Sequence, residues 1–209
     1  MNKIFKSTIF LFWLSIIFIF FKYQLYNDGV HKITTFLNAY PRYSEVLFLV
    51  IATLRIFTFV PCTVFIIIGG MIFSPLETVI LTTIANLLSE MLLFFFTKLT
   101  FGMNYQNKII DKYPKLYNVI QKNNVQILAL GVSSPVVPSD VVCFFSILTG
   151  ISFYKYILTV FLADAPIILL YTFLGSSIKY SAYVFVVILV VIVIISYFNY
   201  KRWKNQIDT

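Results

Sequence analysis

Four ionisable side chains stand inside long apolar runs of this chain: Arg55, Glu90, Asp140 and Asp164. At the centre of a bilayer span each costs about 2.5 to 3.5 kcal/mol on insertion scales, so charges there usually mark substrate pathways or proton relays. Glu90 and Asp164 read as a protonatable pair, or as structural partners of Arg55 and of backbone N–H groups. The Arg55 guanidinium can grip a lipid phosphate through two parallel N–H donors, or neutralise one of those acids. Asp140, just after Pro138, reads equally as a pathway residue and as an N-cap. Lys98, near the end of an apolar run, can reach the interface by snorkelling.

Other chemistries have little to build on. The chain carries no G-x-S-x-G, no H-E-x-x-H and no His within a span, so an intramembrane enzyme acting on lipid phosphates would lack an obvious nucleophile. The lone His31 and the absence of a Cys/His cluster argue against a metal site, and no cofactor is expected. Cys62 and Cys143 lie within apolar runs, where a free thiol packs as a small hydrophobe. The net charge of +8 suits basic cytoplasmic loops and does not call for nucleic acid.

Positioning such groups requires a membrane-embedded scaffold. Of 209 residues 60% are hydrophobic and 11% charged, with a mean hydropathy of +0.90, far from a soluble domain. Thr8 to Tyr26 is long enough for an uncleaved first span, and Val30, Ile33, Leu37 and Tyr40 recur at helical spacing ahead of Pro41 as a short surface helix. Ser44 to Phe73 is an apolar arm carrying Arg55, a break at Val60-Pro61-Cys62-Thr63, and a second arm ending at Gly69-Gly70. Val125 to Gly150 has the same plan around Pro135 and Pro138. Neither arm of either unit reaches the roughly 20 residues that a helical crossing needs. Proline removes an N–H donor and pushes its predecessor out of helical geometry, and Ser133, Ser134, Ser139 and Asp140 can bond the backbone groups thereby freed.

Each broken unit leads through G-M-I-F from Gly70 or G-I-S-F from Gly150 into a span with a buried acid, Leu76 to Leu99 with Glu90 and Phe153 to Leu174 with Asp164. Pro166 reads as a kink beside Asp164. Met103 to Asn124 reads as an interfacial amphipathic helix kinked or interrupted at Pro114, and Ala182 to Phe198 as a closing span before the basic tail of Lys201, Arg202, Trp203 and Lys204.

This pattern resembles the DedA superfamily, in its SNARE-associated or VTT-domain branch. The residues that carry the resemblance are F-V-P-C-T-V-F-I-I-I-G-G-M-I-F-S-P from Phe59, F-F-F-T-K-L-T-F-G from Phe94, S-P-V-V-P-S-D from Ser134, G-I-S-F-Y-K-Y-I-L from Gly150 and A-D-A-P-I-I-L-L-Y-T-F-L-G from Ala163. They cover roughly Leu54 to Gly175. Family members usually have glycines where this chain has Ser74, Glu77 and Ser89, and arginines at Lys98 and near Val132. The resemblance implies paired re-entrant loops and movement of phospholipids or polyprenyl phosphates across a bilayer, often linked in bacteria to proton motive force.

The expected architecture is an all-α integral membrane protein with about four transmembrane helices and two opposed re-entrant helical hairpins in an inverted repeat. Its divisions are 1–43 (anchor span and surface segment), 44–178 (core) and 179–209 (C-terminal span and tail). Two hairpins put both termini and eleven basic residues on one side, against Lys22, Lys32, Arg42 and Lys179 on the other, which satisfies the positive-inside rule for a plasma-membrane protein with cytoplasmic ends. The expected function is a lipid transporter or scramblase with membrane lipids as partners and protons as a candidate coupling ion. The alternatives are the lipid-phosphate enzyme and a non-transporting scaffold, for which four buried charges would be needless. The oligomeric state is open at this stage.

Overall fold

The computed structural model describes residues 29–58, 60–101, 114–134 and 139–180, with single helical positions between 183 and 201. The expected first span, residues 102–113, Pro135, Pro138 and residues 202–209 lie outside the described residues. Those described form helices and connecting turns, with no β-strand among them.

Helix α1, Gly29–Ala39, precedes a 3₁₀ turn at Pro41–Tyr43 and helix α2, Ser44–Leu54. A second 3₁₀ turn at Arg55–Phe57 ends α2, and Pro61 (φ −58°, ψ 141°) sits ahead of α3, Cys62–Ile72. That proline conformation is incompatible with continuing a helix, so the chain turns back, and Phe48 of α2 meets Phe65 and Phe73 of the returning segment at ring-centroid distances of 6.5 and 5.3 Å. Helix α4, Pro75–Phe101, starts from a reciprocal cap. The Ser74 N–H donates to Glu77 Oε2 at 3.0 Å and the Glu77 N–H to Ser74 Oγ at 3.4 Å, with Pro75 at the first helical position where its missing donor costs nothing.

The second unit comprises α5, Pro114–Lys122, α6, Asn124–Val132, α7, Ser139–Leu148, and α8, Phe153–Tyr180. Helix α7 ends in a Schellman turn. Gly150 takes φ 94°, its N–H donates to Ile147 O, and the Ile151 N–H donates to Ser146 O.

Helix α8 packs on α6 of its own unit and on α3 of the other, and α4 packs on α2 of its own unit and on α7 of the other, while α4 and α8 also meet. The two units are thus interlocked in a reciprocal pattern. Each keeps its own apolar core. One holds Leu37, Phe48, Ala52, Phe65, Ile68 and Ala85, and the other is built around Phe94, Leu128, Val142, Ile147, Tyr156 and Val160.

The long helices are inside out by the standard of a soluble protein. On α4 the exposed stripe is Leu76, Ile80, Ile84, Leu88, Leu92, Phe95 and Leu99, whereas Thr78, Thr82, Asn86, Ser89, Glu90 and Thr97 are buried. On α8 Leu158, Phe161, Leu162, Leu169 and Phe173 face outward while Asp164, Thr172 and Ser176 face in. Both helices are long enough to cross a bilayer, with mean hydropathies of 2.0 and 2.1 over their most apolar windows. Water would penalise that arrangement and hydrocarbon favours it, because apolar side chains then meet lipid while polar ones are kept within the protein.

Several sequence expectations are corrected. Helix α1 forms where the spacing placed one, but its Leu37 is fully buried against the first core, so the helix docks on protein and does not merely lie on a surface. Helix α5 begins at Pro114, where the sequence placed a kink or interruption, and what precedes it lies outside the described residues. Gly69 and Gly70 lie within α3 and do not end it. They are contact points: a Cβ on Gly70 would run into Thr172 O and lie 3.0 Å from Ser176 N, and one on Gly175 would run into Ile67 O. Helices α3 and α8 approach at backbone distance there, which only a residue without a side chain permits. Helix α8 runs past Gly175, near which the span was expected to end, with Pro166 inside it. A proline removes a single N–H, and packing on both flanks holds the remaining turns in register.

Candidate functional site

Arg55 stands at the tip of the first hairpin, where the Thr58 N–H and the Thr58 hydroxyl both donate to its carbonyl at 2.9 Å and fix the turn. Its side chain is 2% exposed. Nη1 donates to both carboxylate oxygens of Asp140 at 3.1 and 3.0 Å, and Asp140 lies in the first turn of α7 at the tip of the second hairpin. Nη2 donates to Asn86 Oδ1 at 2.8 Å and lies 3.5 Å from Glu90 Oε1, both on α4. Asn86 in turn donates from Nδ2 to Asp164 Oδ2 of α8 at 2.5 Å, and the Tyr156 hydroxyl of α8 donates to Glu90 Oε2.

One connected network therefore joins both hairpin tips and both long helices. Glu90 and Asp164 are 2% and 4% exposed, while the Asp140 side chain is 24% exposed and forms the open edge of the cluster. One guanidinium faces three carboxyls, giving a formal charge of −2 if all are ionised. Buried charge of one sign is unfavourable unless matched, so such a cluster is completed by protons or by a cation. Beside it lies a cavity of about 10 Å³ lined by Arg55, Cys62, Phe65 and Asn86, room for no more than a water molecule. The site is closed in this conformation.

A model of the VTT domain matches residues 60–177, more than half of the chain. The chain belongs to the VTT-domain family. This is the DedA or SNARE-associated domain that the motifs resembled, and it is a membrane-associated family. No curated protein matches the chain, and no solved structure does.

Within this VTT-domain protein the four ionisable residues singled out by sequence, Arg55, Glu90, Asp140 and Asp164, come together as one cluster. The Asp140 carboxylate turns to Arg55 from the first turn of α7. Lys98 stays outside: exposed near the end of α4, it lies with Nζ 5.8 Å from the centre of the Phe94 ring. Pro61 and Gly150 do shape turns. Of the serines expected to serve freed backbone groups, Ser133 donates to Leu130 O at 3.3 Å, whereas Ser134 Oγ has no partner.

Sequence reasoning missed Asn86 and Tyr156. Asn86 lies one helical turn before Glu90 and is the sole amide side chain between Leu76 and Leu99, a readable signal. Tyr156 is one of 14 tyrosines and nothing in its flanks marks it; only packing shows it to be fully buried and aimed at Glu90.

Proposed function

We propose that this VTT-domain protein moves an anionic lipid, a phospholipid or polyprenyl phosphate, across the membrane, with proton exchange in the acidic cluster coupled to the movement. The observation that carries the reading is the single guanidinium of Arg55, held by Asp140 across the meeting point of two broken-helix tips. Paired carboxylate and lipid phosphate offer the same two-oxygen geometry to an arginine, so they compete for one donor face. A phosphate that takes the place of the Asp140 carboxylate on Nη1 breaks the tie between the two tips, and its departure lets the pair form again. Glu90 and Asp164, anchored by Tyr156 and Asn86, are the inner proton-exchanging groups, one on each long helix.

The reading includes a topology. Four spans and two re-entrant hairpins entering from opposite faces place both termini in the cytoplasm of a plasma-membrane protein, with residues 44–178 as the transporting core. The lengths of α2, α3, α6 and α7, 9 to 11 residues each, support it, since none could cross alone. The reciprocal packing of the long helices supports an inverted repeat.

The test is transbilayer movement of a labelled anionic phospholipid in proteoliposomes with and without an imposed pH gradient. Glu90→Gln and Asp164→Asn should each abolish the response to the gradient while insertion is retained. Full gradient dependence in both variants would remove the proton exchange, and no protein-dependent movement under any condition would remove the transport reading.

A further inference from the structure

A polar hollow lies away from the Arg55 cluster, at the end of the bundle where α8 begins. A cavity of about 500 Å³ is lined by Lys122 at the end of α5, Asn124 at the start of α6, Thr149 and Gly150 of the Schellman turn, and Ser152 and Lys155 at the start of α8. Gly150 is required there, because its φ of 94° swings the chain so that Ser152 and Lys155 return over the start of α6. Asn124 pins the wall, donating from Nδ2 to Ser146 O at 3.0 Å and to Thr149 Oγ1 at 2.7 Å.

The charged side chains of this hollow all have the same sign. Lys122 and Lys155 are exposed, neither pairs with a carboxylate among the described residues, and no Asp or Glu lines the walls. The starts of α6 and α8 both open onto it, and the first-turn N–H groups of a helix lack intrahelical partners and carry partial positive charge. Asn123, at the cap of α6, makes no side-chain bond to those N–H groups. Because α8 is one of the two bilayer-length helices, its N-terminal end marks a membrane boundary, so the hollow sits at headgroup level.

We propose that this hollow is a phosphate-binding site for the headgroup of an anionic glycerophospholipid or a soluble phosphate ester of the same chemistry, separate from the Arg55 cluster. Lys122 and Lys155 supply the charge and the two helix starts supply N–H donors, while Asn124 holds the wall between them. The proposal draws on the membrane reading of the chain but is measured at equilibrium, so its failure leaves transport standing and a failure of transport leaves it standing.

The test titrates the full chain in detergent micelles with short-chain phosphatidylglycerol, short-chain phosphatidylcholine and glycerol 3-phosphate, counting bound species by native mass spectrometry. Phosphatidylglycerol should bind more tightly than phosphatidylcholine. The Lys122→Gln/Lys155→Gln variant should bind it about thirtyfold more weakly, the equivalent of about 1 kcal/mol for each lysine near a membrane surface. Lys201→Gln, a change on an exposed helical lysine of the C-terminal segment, should leave binding as in the parent. Glycerol 3-phosphate binding that is lost in the double variant assigns the site to soluble esters as well, and binding of the lipid alone assigns it to the membrane. Affinities in the double variant within threefold of the parent for both probes would overturn the proposal. So would an equal loss in Lys201→Gln, which would reveal unspecific attraction to charge.

Discussion

Replacing Arg55 by Met tests the network at its centre. The guanidinium touches Asp140, Asn86 and Glu90, and its removal leaves Glu90, 2% exposed, and the Asp140 carboxylate without their cation. Removing one partner of a buried pair costs about 3 to 5 kcal/mol, most of it from the charge left behind. For a chain of this size each kcal/mol shifts the thermal midpoint by about 2 to 4 °C, so Arg55→Met should melt about 6 to 20 °C below the parent. Asp140→Asn should cost less, because its side chain is 24% exposed and solvent screens the loss. The triple variant Arg55→Met/Glu90→Gln/Asp140→Asn should recover part of the single variant's loss, since the orphaned charges go with the cation. The assay is a thermal scan in one detergent, read by intrinsic fluorescence. An Arg55→Met midpoint within 2 °C of the parent would refute the claim that this side chain ties the two hairpins together. A triple variant less stable than Arg55→Met would refute the assignment of the penalty to unpaired charge.

Three further outcomes are expected. Gly70→Leu should sharply lower the yield of folded protein, because its Cβ meets the backbone of α8 at Thr172, while Gly69→Ala, which meets the tip of the Thr78 side chain at 2.8 Å, should be milder; size-exclusion profiles in detergent distinguish them. Tyr156→Phe removes a hydroxyl that donates to buried Glu90 and should cost about 1.5 to 3 kcal/mol in the same thermal scan, the value of a hydrogen bond to a charged group. A cysteine at Asn107 should resist impermeant thiol reagents in sealed cells, and ready labelling would invert the proposed topology.

Much of the scaffold was legible in the sequence because its signals are local. The break at Pro61, the starts of both long helices and the short arms follow from proline chemistry and run length, whereas the cap formed by Ser74 and Glu77 went unread and α8 runs past the end expected near Gly175. The four charged members of the site were legible for a different reason: hydrocarbon makes each one conspicuous. What escaped depends on three-dimensional neighbours. Gly70 and Gly175 read as helix ends because glycine often is one, whereas they mark the backbone contact between α3 and α8, a relation between residues a hundred positions apart in the chain. The phenol of Tyr156 was hidden for the same reason, since aromatic side chains in a membrane protein are commonly lipid-facing and only the position of Glu90 gives this one a task.

The distribution of polar groups has a mechanical consequence. If the cluster belonged to one hairpin, a headgroup could reach Arg55 without moving anything else. Instead Arg55 and Asp140 come from different tips, Glu90 and Asp164 from different long helices, and the adjoining space holds about 10 Å³. Entry of any phosphate to Arg55 then requires the tips to separate, and separation breaks the bonds that tie the two units together. The Gly70 and Gly175 contact resists that motion elsewhere, because α3 and α8 are locked at backbone distance. The second hairpin has no such lock among the described residues. Its arms meet where Gly131 faces Val142, and a Cβ on Gly131 would lie 2.6 Å from Val142 Cγ1 and 2.9 Å from its Cβ, a tight contact with a stiff β-branched side chain. Parting of the tips therefore has to break the Arg55–Asp140 pair, which joins the first tip to the start of α7.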